Sequence, residues 1–144
     1  MNVLVIDDDK KFSEPLLWQL KDEGYDVTYC RAVEEVLDDG GNLRVRRPDC
    51  IILDIMMPRG ERYGKGETRA GKWTGLRLLE DIKNCAPDVP VIIVTVLTEL
   101  TLHGVQRAHG EIVKGLLTKP VGPSAVVNAI KVVSGADDRK LPPG

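Results

Sequence analysis

Long hydrophobic runs, histidine and cysteine are all scarce in this chain of 144 residues. No apolar stretch nears the ~20 residues that a membrane-spanning helix needs, which excludes a helical membrane protein. The N-terminus reads MNVLVIDDDKK; its apolar run is short and acids follow at once, so no signal peptide is expected. Three cysteines, Cys30, Cys50 and Cys85, are odd in number, widely spaced and mostly set among apolar residues. That spacing carries neither a disulfide framework nor a cysteine metal site, and it suits reduced thiols in a cytoplasmic protein. His103 and His109 fall on a candidate fourth helix and its end and are expected at the surface, while Trp18 and Trp73 are expected to pack. A surplus of one charge is missing too. The net charge of −2 gives no general attraction to nucleic acid, so direct nucleic-acid binding is not expected.

What remains is the composition of an ordinary globular domain, with 42% hydrophobic and 29% charged residues. The length fits one domain able to bury a full core. Val3-Leu4-Val5-Ile6, Cys50-Ile51-Ile52-Leu53 and Val91-Ile92-Ile93-Val94 are continuous, largely β-branched runs. Such runs suit strands buried on both faces, as in a parallel sheet. Weaker strands fit Asp26–Tyr29 and Gly115–Thr118. Between them, apolar residues recur at helical spacing: Phe12, Leu16, Leu17 and Leu20; Val33, Val36 and Leu37; Leu76, Leu79 and Ile82; Leu97, Leu100, Val105 and Ala108; Val126, Val127, Ile130 and Val133. Gly24 stops the first pattern, Thr74 is a candidate cap of the third, and Pro123 opens the fifth. Five strand–helix units in alternation predict an α/β fold, a doubly wound parallel five-stranded sheet. In such sheets ligands bind at the carboxyl ends of the strands.

Asp7, Asp8, Asp54 and Thr95 all stand at those ends, and Lys119 closes the fifth strand. Carboxylates brought together repel one another and would take up protons unless a cation sat among them. Oxygen ligands with room for waters suit Mg²⁺, which binds through one or two carboxylates and phosphate oxygens. A lysine and a hydroxyl at the same rim would meet the other phosphate oxygens. The set describes a site for a phosphoryl group beside Mg²⁺, with a carboxylate as nucleophile.

The chain resembles a response-regulator receiver domain over roughly residues 1–133, with 134–144 as a tail or linker. The resemblance rests on Asp7-Asp8 after the first strand, "LDIMMP" (53–58), "VIIVT" (91–95) and "LLTKP" (116–120), in order and each at a strand end. It implies the flavodoxin-like receiver fold and a set of roles. Asp54 is the phosphoacceptor. Asp8 and Asp54 ligate Mg²⁺ directly with the backbone carbonyl of Met56, and Asp7 acts through a water. Lys119 pairs with Asp54 and then with its phosphate, Thr95 hydrogen-bonds the phosphate, and the Lys119–Pro120 bond is commonly cis. Asp9 starts the first helix rather than binding metal. The implied partners are a sensor histidine kinase or phosphotransfer protein, and a downstream protein or output domain outside this chain. A homodimer through the fourth helix, fifth strand and fifth helix also fits the resemblance.

The chain departs from the family in four places. Leu116 stands where an aromatic usually reports phosphorylation, and bulky Val96 follows Thr95. The stretch from fourth helix to fifth strand is longer than usual. The family's glycine after Met-Pro is matched only at Gly75, which leaves a glycine-rich insertion over 59–72. Arg59, Arg62, Lys65, Arg69 and Lys72 against Glu61 and Glu67 give that loop a net charge of +3. Its composition supports two readings, simple disorder or a docking element that meets phosphate or an acidic partner through Arg59 or Arg62. Apolar Met56 and Leu97 imply a long-lived acyl phosphate. The leading function is a phosphorylation-operated switch; the alternative is a phosphorylation-independent interaction module on the same fold. A phosphohydrolase would need a second carboxylate two residues after Asp54, where Met56 stands, so the chain is not expected to be an enzyme.

Overall fold

The computed structural model describes residues 1–58, 60, 62–63, 74–96 and 99–135, the side chains of 99–103 excepted. Its strands are β1 (Asn2–Ile6), β2 (Asp26–Cys30), β3 (Cys50–Leu53), β4 (Val91–Thr95) and β5 (Val113–Thr118). They are all parallel, in the order β2-β1-β3-β4-β5. The helices are α1 (Lys10–Asp22), α2 (Val33–Val36), α3 (Thr74–Cys85), α4 (Glu99–His109) and α5 (Pro123–Val133). The doubly wound (βα)5 architecture expected from the alternation is present.

The three apolar runs are continuous because each strand feeds two cores. Leu4, Ile6, Ile51, Leu53, Val91 and Ile93 point to one face, against Val33 and Val36 of α2 and Leu78, Leu79 and Ile82 of α3. Val3, Val5, Cys50, Ile52, Ile92 and Val94 alternate with them and meet Leu16 and Leu20 of α1 and Val126, Val127 and Ile130 of α5. Burial pushes the Cys30 thiol up to about 11 and the Cys50 thiol up to about 12, which makes both poor nucleophiles. β5 begins two residues before the expected Gly115. Val91 pairs with Val113 but Ile92 with Gly115, so Lys114 is an extra residue in β5.

Local signals hold with three exceptions. Asp9 caps α1, its Oδ1 accepting from the Lys11 and Phe12 amides at 3.1 and 3.3 Å. Pro123 opens α5 behind Gly122. Thr74, expected as a cap, is instead the first residue of α3 and is fully buried. Trp18, expected to pack, is 70% exposed. The buried face of α1 is Ser13, Leu16 and Leu20, and Trp18 projects from the opposite side. His109 is half-buried rather than at the surface, and its Nδ1 has no partner among the described residues. Trp73 and Leu97 lie outside the described residues, as does the side chain of His103.

Within the insertion, Gly60, Arg62 and Tyr63 are described, and the reading of plain disorder fails for its foot. The Tyr63 ring is buried in the same core as α3, and its hydroxyl donates to Asp81 Oδ2 at 2.7 Å. Arg62 donates to the same oxygen at 3.4 Å and to the Asp38 carbonyl at 3.0 Å. Arg77 donates to Asp81 Oδ1 at 2.9 Å and lies 5.3 Å from the Tyr63 ring centroid. Arg62, expected to face phosphate or a partner, is thus held by α3 and the turn after α2. Arg59 and most of the loop lie outside the described residues.

The bond from Tyr63 to a carboxylate has a measurable consequence. Tyr63→Phe keeps the ring in the core and is expected to lower stability by about 1.5 kcal/mol in urea unfolding at neutral pH. Burial alone would raise the Asp81 carboxyl, but bonds from Tyr63, Arg77 and Arg62 outweigh it and hold it below the usual range. A depressed carboxyl contributes stability above its unfolded value and loses it as pH falls through the folded one. The gap between parent and variant should therefore close in acid.

Candidate functional site

The sheet order reverses at β1, which has β2 on one side and β3 on the other. At that reversal the strand ends leave a crevice, and the carboxylates after β1 and β3 line it. The ladder itself fixes their backbones: the Asp7 amide donates to the Cys30 carbonyl at 3.1 Å and the Asp54 amide to the Ile6 carbonyl at 3.0 Å. The Lys119 amide donates to the Thr95 carbonyl at 2.8 Å, which ties the end of β5 to the end of β4. The Lys119–Pro120 peptide is cis.

The side chains then converge. Asp7, Asp8 and Asp54 each place a carboxylate oxygen within 4.8 Å of the others. Asp7 is buried; its Oδ1 accepts from the Asp9 amide at 2.8 Å and its Oδ2 from Lys119 Nζ at 2.8 Å. Asp54, 6% exposed, accepts from the Met56 amide on Oδ1 at 3.0 Å and from Lys119 Nζ on Oδ2 at 3.2 Å. Lys119 is also 3.6 Å from Asp9 Oδ2, and its ammonium sits 4.5 Å from the centroid of the Phe12 ring. Thr95 closes the set: it is fully buried, and its hydroxyl has no partner among the described residues. Gly75 lets α3 start against this rim, its amide donating to the Ile55 carbonyl at 2.7 Å.

Electrostatics follow from three acids around one base. Burial raises the Asp7 carboxyl to about 6, and the Asp54 charge adds to the rise while Lys119 and the Asp9 amide oppose it. Burial alone would lower the Lys119 ammonium, but the bond to Asp7 and the charge of Asp54 outweigh it and keep the lysine protonated. The acidic excess and the all-oxygen donor set fit a divalent metal ion. The orphaned Thr95 hydroxyl fits an anionic oxygen arriving beside it.

Asp7, Asp8, Asp54, Thr95 and Lys119, singled out in the sequence, therefore fall together at this crevice. Met56 contributes its amide to Asp54, and its carbonyl belongs to the same turn. Asp9 is a helix cap, as expected. Leu116 is half-buried against the core shared with α3, and Val96 is 57% exposed beside the site. The helical spacing marks Phe12 only as a core position, yet its ring faces Lys119. The sequence carries no signal for that contact.

The family model of the response regulator receiver domain matches residues 3–131. The chain belongs to this family. Response regulator MprA of Mycobacterium sp. strain KMS is 30% identical over 95 residues, covering 66% of this chain and 34% of that protein. The receiver domain thus spans about a third of the curated relatives it matches. Among solved structures, the CheY-like receiver domain protein of Methanospirillum hungatei JF-1 has the same fold, with a TM-score of 0.70. It is 19% identical, with 97% of this chain and 98% of that one covered. A Burkholderia pseudomallei response regulator, solved with a phosphorylated aspartic acid, calcium ion and citrate, superposes with a TM-score of 0.67. It is 21% identical, with 96% of this receiver domain and 71% of that chain covered.

Proposed function

We propose that this receiver domain is a phosphorylation-operated switch of a two-component system, in which Asp54 accepts a phosphoryl group from a histidine kinase or phosphotransfer protein. One observation carries the reading. Lys119 bonds Asp7 and Asp54 at the same rim where Thr95 holds a buried hydroxyl without a partner among the described residues. An Asp54 carboxylate oxygen attacks phosphorus; the new O–P bond forms as the bond from phosphorus to the donor imidazole breaks, and its electron pair leaves with the imidazole. Lys119 offsets the charge that builds on the phosphoryl oxygens, and the Thr95 hydroxyl donates to one of them. Asp8 and Asp54 would hold Mg²⁺, with Asp7 and the Met56 carbonyl beside them. When bound, that ion neutralises the carboxylates and polarises the phosphoryl oxygens.

Supporting this reading, the matched Burkholderia structure bears a phosphorylated aspartic acid and a calcium ion. The downstream partner or output domain, a homodimer through α4, β5 and α5, and a cytoplasmic setting belong to the same proposal. No acid–base carboxylate stands two residues after Asp54; Met56 does, and it is 36% exposed. The domain is accordingly read as a signalling element rather than an enzyme. Leu116, lacking an aromatic ring, favours a second reading in which the fold binds partners without phosphorylation. Incubation with a small phosphodonor and Mg²⁺, followed by intact mass, separates the two. Gain of one phosphoryl group supports the switch, and an unchanged mass supports the interaction module.

Metal dependence yields a further expectation. Asp8→Asn removes one charge from a crowded acidic set, so the variant should be more stable than the parent without divalent ions, by about 1 kcal/mol. Added Mg²⁺ should raise the melting temperature of the parent and barely move that of the variant. Equal gains in both would remove Asp8 from the ligand set.

A further inference from the structure

We propose that Phe12 is a positioning residue for Lys119: the ring face holds the ammonium over Asp7 and Asp54 and so sets where its charge meets the phosphoryl group. The inference rests on Asp54 being the phosphoacceptor.

A lysine ammonium has three N–H donors. Asp7 at 2.8 Å and Asp54 at 3.2 Å each take one. The Phe12 ring covers another flank, its centroid 4.5 Å from Nζ, within the ~6 Å over which a cation is attracted to a ring face. Together these neighbours leave the Lys119 side chain 9% exposed. The backbone that carries the ring is anchored, because the Phe12 amide donates to Asp9 Oδ1 at 3.3 Å, inside the cap of α1. Cap, ring and lysine form one unit linking α1 to the end of β5.

A competing partner for the ammonium stands nearby. Asp9 Oδ2 lies 3.6 Å from Nζ on a carboxylate that is 46% exposed. Between α1 and the end of β5 runs an open cleft of about 410 Å³, lined by Lys11, Phe12, Val96, Lys119, Pro120 and Val121. Without the ring, water from this cleft would solvate the ammonium and let it lean toward Asp9, away from Asp54. Leucine at this position would fill space but present no negative face. The ring therefore acts through its charge distribution, and this separates positioning from mere packing.

The chain contains a single phenylalanine, so fluorinated phenylalanine supplied to a phenylalanine auxotroph enters at residue 12 alone. Fluorines withdraw electron density from the ring face while changing its shape little. Full-chain protein carrying one, two or three ring fluorines is phosphorylated by acetyl phosphate with Mg²⁺ and followed by intact mass. The rate should fall stepwise with fluorine number, by about tenfold at three, with little change in melting temperature. Phe12→Leu should fall to a similar rate. In metal-free protein the ¹⁹F resonance of 4-fluorophenylalanine should shift on Lys119→Met and stay in place on Lys11→Met. Equal rates across the fluorine series, in a parent that is phosphorylated, or a resonance blind to Lys119→Met, would overturn the inference. A parent that takes no phosphoryl group would instead overturn the phosphoacceptor reading, and the inference with it.

Discussion

Asp54→Asn is expected to reduce phosphoryl uptake to the detection limit of intact mass while leaving the fold unchanged. Asparagine matches aspartate in shape, and its carbonyl oxygen can still accept the Met56 amide that Asp54 Oδ1 accepts at 3.0 Å. Lys119 keeps its shorter bond to Asp7, at 2.8 Å. What is lost is the carboxylate nucleophile, which an amide does not replace. The stability change should be small because two effects oppose. Lys119 loses a charged partner, but Asp7 is freed from the Asp54 charge that helps push its carboxyl up to about 6. Mass gain by Asp54→Asn under conditions that phosphorylate the parent would move the acceptor to another residue. The neighbouring Asp8→Asn protein should still be phosphorylated, though more slowly, because it retains the nucleophile.

The legible part of this protein follows from burial and chain order. Val3–Ile6, Cys50–Leu53 and Val91–Val94 could be read as strands because two cores demand apolar residues on both faces, and the structure alternates them between those cores. Asp7, Asp54 and Thr95 were then fixed at the strand ends, and the site followed from sheet geometry. Contacts between distant side chains were not legible. Nothing local marks Phe12 as the ring beneath Lys119, since it also satisfies the helical spacing of α1. Tyr63 was hidden for another reason: a loop rich in glycine and charge offers too few apolar side chains for its own core, but one aromatic can borrow the core of α3. Trp18 failed because its large apolar side chain suggested packing, whereas its place on α1, opposite Leu16 and Leu20, decided exposure.

Gly75→Ala is expected to be the most damaging small substitution, lowering stability by about 3 kcal/mol and slowing phosphorylation together. A Cβ at this position would fall onto the Ile55 Cα and the Asp54 carbonyl oxygen, with the Asp54 carbonyl carbon at 3.0 Å. These are backbone atoms, so no flexible side-chain end can yield. Either α3 moves outward, loosening the buried Thr74, Leu78, Leu79 and Ile82, or the chain at Asp54 shifts. The first costs core packing and the second moves the nucleophile relative to Lys119. The sequence marked Gly75 only as the family's glycine displaced by an insertion; the structure gives the reason no side chain fits. Gly104→Ala provides the control, since a Cβ there meets nothing within 4 Å. Within α4 that change should stabilise by about 0.5–1 kcal/mol and leave phosphorylation alone. Urea unfolding and phosphorylation rates of both variants test the pair. A Gly75→Ala protein with parental stability and rate would show that α3 does not press against the backbone at Asp54.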